Sequence, residues 1–194
     1  MAYDSLINYL LLFGSLNKQQ IDLITSSLTV KYFEEGAYFL KAGQVSRDIG
    51  FVTRGIFRVC YYDNDGNEIT RYFVEENHFI ADINSYNTLL PTTEYVQAVV
   101  DCEVIILSRQ VMENLSRTIL VWDSLIAKIV AKSLAEKVSR ISVMMPQDAA
   151  ARYQYFLEAF PNVANRVPLQ YIASYIGVTK SSLSRLRRHI GKRK

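Results

Sequence analysis

Residues 169–190 read LQYIASYIGVTKSSLSRLRRHI, the pattern of two short helices joined by a tight turn. Helices that cross closely need a small residue at the contact, and Ala173 supplies it. The turn needs a residue that accepts a left-handed backbone, and Gly177 is placed for it. Ile172, Ile176, Val178, Leu183 and Leu186 are spaced to share one apolar core, and Thr179 is a favourable N-cap for the second helix. Together these features predict a helix-turn-helix. With the inward positions assigned, Lys180, Ser181, Ser184, Arg185 and Arg188 fall on the outer face of the second helix. Long donors near the start of such a helix can reach base edges in a major groove. Arg185 is the candidate for a paired contact to guanine, and Lys180 for a base or a phosphate. Gln170, Ser182 and Arg187 are candidates for phosphate contacts that set register. The bland alternative is a helical hairpin with a solvated basic face.

Charge favours the sharper reading. Seven of the 22 basic residues and none of the 19 acidic ones lie in 180–194. The rest of the chain is mildly acidic, so a polyanion partner is expected at this end. The chain has 194 residues, with 49% hydrophobic and 21% charged content, the texture of an ordinary globular protein. Charged residues interrupt every apolar run before it reaches the length of a membrane span. The opening stretch, MAYDSLINYLLLFGSL, is expected to be an amphipathic helix with Leu6, Leu10 and Phe13 on one face, not a secretory leader. Cys60 and Cys102 lie far apart without partners at metal-ligand spacing. That excludes a four-thiolate zinc or iron–sulfur site within one chain and suits reduced, cytoplasmic thiols. No cofactor is expected.

Upstream, residues 30–107 alternate apolar and polar positions between glycines, the texture of short strands. FRVCYYDNDGNEITRYF is predicted to be a hairpin turning at Asp65-Gly66. Asp63, Asp65 and Asn67 lack the further ligands and flanking helices of a calcium loop, so a plain turn is expected. Residues 110–143 hold no Gly or Pro, and Ile119, Trp122, Ile126, Ile129, Leu134, Val138 and Ile141 recur at helical spacing. So long an apolar helix needs a partner, either its own β domain or the same helix of a second chain. Met144-Met145-Pro146 is expected to break it. A further helix is predicted over 147–160, with Tyr153, Phe156, Leu157 and Phe160 inward, ending at Pro161.

A β-rich domain, a long helix and a basic helix-turn-helix, in that order, resemble the Crp/Fnr family of bacterial transcription regulators along nearly the whole chain. YFEEGAYFLKAGQVSRDIGFVTRGIFRV is similar to the family's opening strands, with Gly36, Gly43 and Gly55 at its turns. The resemblance implies an α+β protein in three parts. These are a cyclic-nucleotide-binding-like β-roll over 1–116, a dimerisation helix over 117–145 and a DNA-binding domain over 146–194. It implies a cytoplasmic homodimer on palindromic double-stranded DNA, with recognition helices ~34 Å apart, and it admits RNA polymerase as a further partner. Trp122, Ile126, Ile129 and Leu134 would then pack across the dimer seam. The sequence departs from members that carry a C-terminal wing, since only GKRK follows the second helix.

The effector pocket departs further. Members that bind cyclic AMP carry a Gly-Glu pair, then an Arg followed by Ser or Thr. Here Ala81-Asp82 and Thr92-Thr93 stand in those places, and 72–108 contains no Lys or Arg. A phosphate taken out of water needs a cation or several donors, and only Arg58 or Arg71 is close enough in sequence to swing in. Ala81, Asp82, Asn84, Thr92 and Thr93 therefore mark a candidate effector pocket without a cyclic-nucleotide role. It admits another small molecule, an uncharged one included, or none. His78 is expected at the surface rather than on haem iron. No nucleophile–base pair or phosphate-cradling loop points to an enzyme. The rival reading is a regulatory module that docks a protein and touches DNA only nonspecifically.

Overall fold

The computed structural model describes residues 3–144 and 147–191. The expected break at Met145-Pro146 and the basic residues Lys192, Arg193 and Lys194 lie outside them. Helix α1 (Asp4–Leu11) buries Leu6 and Leu10 completely, with Phe13 packed beside them, as its periodicity requires. Helix α2 (Lys18–Ser27) starts on a capping box in which Asn17 and Gln20 exchange two 2.9 Å hydrogen bonds.

Eight antiparallel strands then form two four-stranded sheets. One has the order β1 (Thr29–Phe33), β8 (Cys102–Ser108), β3 (Asp48–Arg54), β6 (Phe79–Ile80). The other has the order β2 (Tyr38–Leu40), β7 (Tyr95–Ala98), β4 (Phe57–Tyr62), β5 (Glu68–Val74). Val52, Ile80, Val104 and Ile106 from the first sheet share a core with Phe57, Val59, Val74 and Val96 from the second. This is the expected β-roll. The predicted hairpin joins β4 to β5, with Gly66 at φ 80° and Asp63 accepting from the backbone N–H groups of Asp65 and Asn67. Asp63 is thus spent on a turn, not offered to calcium.

Strand β4 departs from simple alternation. Phe57, Arg58, Val59 and Cys60 are all buried, so something covers its outer face as well as its inner one. That cover is the first helix of the C-terminal pair.

The stretch expected as one helix from Gln110 is two. Helix α4 (Arg109–Thr118) ends, Ile119 turns inward in an extended conformation, Leu120 is left 97% exposed, and α5 (Trp122–Met144) begins. A missing Gly or Pro does not guarantee continuity, because burying Ile119 outweighs one interrupted turn. Helix α6 (Ala149–Ala159) is capped by Asp148, whose carboxylate accepts from the Ala151 N–H at 2.9 Å. Helices α7 (Leu169–Ile176) and α8 (Lys180–Gly191) close the described chain.

Candidate nucleic-acid interface and effector region

The turn between α7 and α8 has the geometry its residues demand. Gly177 sits at φ 73°, its N–H donates to Ser174 O at 3.1 Å, and the Val178 N–H reaches back to Ala173 O at 2.9 Å. These two bonds are a Schellman closure. Thr179 Oγ1 then accepts from the Ser182 N–H at 3.2 Å, capping α8. Ile172, Ala173, Ile176 and Leu183 are buried together, with Val178 and Leu186 packed against them. Every inward position expected from the sequence is inward.

The outer face follows. Lys180, Ser181, Arg185, Arg187 and Arg188 are exposed, and Ser182 and Ser184 are half-buried. Gln170 is exposed at the start of α7. No acidic residue occurs in α8, and among the described residues no ion pair engages Lys180, Arg185, Arg187 or Arg188. Arg185 makes one long contact, 3.4 Å to the Ser182 hydroxyl. The helix therefore offers uncommitted long donors above a buried apolar base.

The residues expected to mark an effector pocket serve the backbone. Asp82 N-caps α3 (Ile83–Thr88), accepting from the Ser85 N–H at 3.0 Å. Thr92 is buried, exchanges main-chain bonds with Gly43 and Gln44, and accepts from the Glu94 N–H at 3.0 Å. Asn84 and Thr93 are exposed, and Ala81 is half-buried. A cleft of about 420 Å³ lies nearby, lined by Phe39, Gln44, Val45, Ser46, Arg47 and Asp48. None of the five marked residues lines it. His78 is half-buried, with Nδ1 3.0 Å from the Glu76 carbonyl oxygen.

Two of the cations of this region are held in ion pairs. Arg58 is buried and bonded to Glu68 and Gln97, and Arg71 pairs with Glu94. The sequence reading missed a third. Lys137 of α5 donates to the Tyr72 hydroxyl at 3.2 Å, its ammonium 4.4 Å from the ring centre. Burial lowers the Lys137 pKa, partly offset by the carboxylates of Glu94 and Asp82. No local motif announces Lys137, but it follows the α5 stripe of Trp122, Leu125 and Ile129 that packs on the roll.

Within its own chain, that stripe is covered by the roll. Trp122 and Ile129 are 0% and 4% exposed within their own chain, and Ile126 packs against the same core. The roll has taken their apolar surface. Of the four, only Leu134 is open, at 61% exposure. With Val130 and Val138 it forms a second apolar face on α5, continued by Leu120 just before the helix.

Residues 30–118 match the family model of the cyclic nucleotide-binding domain. No curated protein matches the chain. Among solved structures, FixK2 from Bradyrhizobium japonicum aligns at 15% identity and a TM-score of 0.72, covering 86% of this chain and 85% of that one. The c-di-GMP responsive global regulator CLP from Xanthomonas campestris aligns at 14% identity and 0.71, covering 91% and 92%. A transcriptional regulator of the crp/fnr family from Eubacterium rectale aligns at 16% identity and 0.69, covering 96% and 88%. Among the described residues no helix is long and apolar enough to cross a membrane, and no cluster of three or more His, Cys, Asp or Glu side chains could hold a metal ion. The chain carries a cyclic nucleotide-binding domain and has, over most of its length, the fold of the Crp/Fnr transcription regulators.

Proposed function

We propose that the chain is a homodimeric transcription regulator of Crp/Fnr type that reads a specific two-fold DNA site through α8. Its effector domain does not take up cyclic AMP in the family's usual way. The observation that carries this is the outer face of α8, where Lys180, Arg185 and Arg188 stand exposed over a buried Leu183 and, among the described residues, in no ion pair. A basic helix whose long donors are already paired would read nothing.

The second apolar face of α5 supports the dimer. Leu120, Ala127 and Leu134 are seven residues apart, and Ala131 and Val138 continue the alternating three–four step. That is the spacing of a two-helix seam. The same spacing would set two copies of α8 on one side of the assembly, facing successive major grooves of a palindrome. RNA polymerase is the further partner this reading names.

The test is selection of bound duplexes from a random pool, with the parent protein and with Arg185→Ala. The parent is expected to recover a palindromic motif. Arg185→Ala should relax the preference at one guanine per half-site, by about 1–3 kcal/mol of discrimination. Recovery of no motif would instead favour a protein-docking module with only electrostatic affinity for DNA.

A further inference from the structure

The first helix of the C-terminal pair has two working faces. Ile172, Ala173 and Ile176 build the helix-turn-helix core, while Tyr171, Ser174 and Tyr175 point at the β-roll. Strand β5 is the free edge of its sheet, and such an edge presents unpaired N–H and C=O groups. The Ser174 hydroxyl fills one of these slots. It donates to the Glu68 carbonyl oxygen at 2.9 Å and accepts from the Thr70 N–H at 2.8 Å, as one residue of an added strand would.

Around this contact lies a buried polar cluster. The Arg58 guanidinium is 2% exposed and lies 3.6 Å from the centre of the Tyr171 ring. It donates to Glu68 and, at 2.6 and 3.0 Å, to Gln97 Oε1. Phe73 of β5 packs on Tyr175 and Phe156, with ring centres 5.6 and 6.0 Å apart. Nearer the turn before β4, Arg166 holds Glu76 through two bonds of 3.0 and 2.6 Å, and Glu76 also accepts from the Gly55 N–H. Charge, stacking, edge pairing and apolar contact thus tie the DNA-binding unit to β4, β5 and the segment just after β5. The outer face of α8 stays exposed throughout.

From this juxtaposition we infer that Arg58, Tyr171 and Ser174 are positioning residues for DNA binding. They fix the helix-turn-helix on the β-roll before DNA arrives, with no effector required. The inference rests on the proposed DNA-binding role. A preset orientation spares the ordering cost of seating two recognition helices at once. It gives nothing to a single helix meeting a single half-site, whose local geometry lies within α7 and α8.

The test compares two duplexes, the palindrome recovered by selection and the same duplex with one half-site scrambled. Ser174→Ala should weaken binding to the palindrome by about tenfold or more while binding to the single half-site stays within twofold. Ser174→Thr, which keeps the hydroxyl, should restore the parent's value. Equal weakening on both duplexes would overturn the inference, because Ser174 would then act through the fold or the DNA contact itself. Tighter palindrome binding would overturn it too, since the docked arrangement would be a restraint. Absence of sequence preference in the parent would mean instead that the DNA-binding reading had failed. A readout without DNA is the distance between spin labels at Asp65→Cys and Arg187→Cys. It should be narrow in the parent and broaden with Tyr171→Ala. An unchanged width would also overturn the inference.

Discussion

Lys137 on α5 donates to the hydroxyl of Tyr72 on β5, 65 residues away in sequence and 3.2 Å away in space. The contact puts a cation beside the region where the resemblance expects an effector, and it also occupies that cation. Arg71 is held by Glu94, and Arg58 lies under α7 with Glu68 and Gln97. A cyclic phosphate drawing on Arg58 or Arg71 would have to break an existing ion pair, and Asp82 and Glu94 would repel it.

Cyclic AMP or cyclic GMP at millimolar concentration is therefore expected to leave the melting temperature unchanged. A ligand that binds only the folded state must raise it as concentration exceeds Kd. A saturable rise would mean that one of these three cations exchanges partners, and Lys137→Met, Arg71→Gln and Arg58→Gln would show which.

Two apolar faces on α5 predict two different failures. Leu134→Glu with Val138→Glu alters only exposed positions. The folded monomer should survive, and sedimentation should show loss of the dimer. Ile129→Glu places a carboxylate in the roll's own core, where an unpaired polar group costs several kcal/mol, so the chain should unfold. A double variant that stays dimeric would move the seam elsewhere.

Gly55 and Gly66 both sit at positive φ, 100° and 80°, yet their surroundings differ. A Cβ on Gly55 would lie 2.4 Å from Cys102 Sγ and 2.7 Å from Asp101 O, whereas one on Gly66 would meet nothing within 4 Å. Gly66→Ala should cost about 1 kcal/mol, the strain alone. Gly55→Ala adds a backbone clash and should cost about 4 kcal/mol. Denaturant titration of the two variants separates strain from contact.

Glu68 gives a pH signature to the contact between β5 and α7. Its hydrogen bonds from Arg58 hold the carboxyl below its ordinary 4.5, against the opposing effect of burial. The stabilisation is complete above that value and is lost as pH falls through the lower folded one. Glu68→Gln leaves Arg58 buried without its counter-charge, so it should be about 3 kcal/mol less stable at pH 7. The gap should narrow below pH 4.5 as the parent's carboxyl protonates. A gap that stays constant down to pH 3 would show that Glu68 acts by shape and not by charge.

The helix-turn-helix was legible from sequence because its requirements are local. A small residue, a glycine tolerant of left-handed φ, a hydroxyl cap and a helical period all act within a few residues of one another. The β4–β5 hairpin was legible for the same reason. The break at Ile119 was not, because it depends on a pocket built by α1, α2 and β8, which only the folded chain brings together.

Sequence alone thus determined that residues 180–190 form a basic helix, that strands precede it and that α5 is apolar. Only tertiary structure decided which apolar face of α5 the roll consumes, since helical spacing is the same whether the partner is one's own domain or a second chain. It also decided that Lys137 meets Tyr72 and that Ser174 completes the edge of β5. Such contacts join residues 65 and more than a hundred positions apart. They follow from how two apolar surfaces close on one another, which no local pattern encodes.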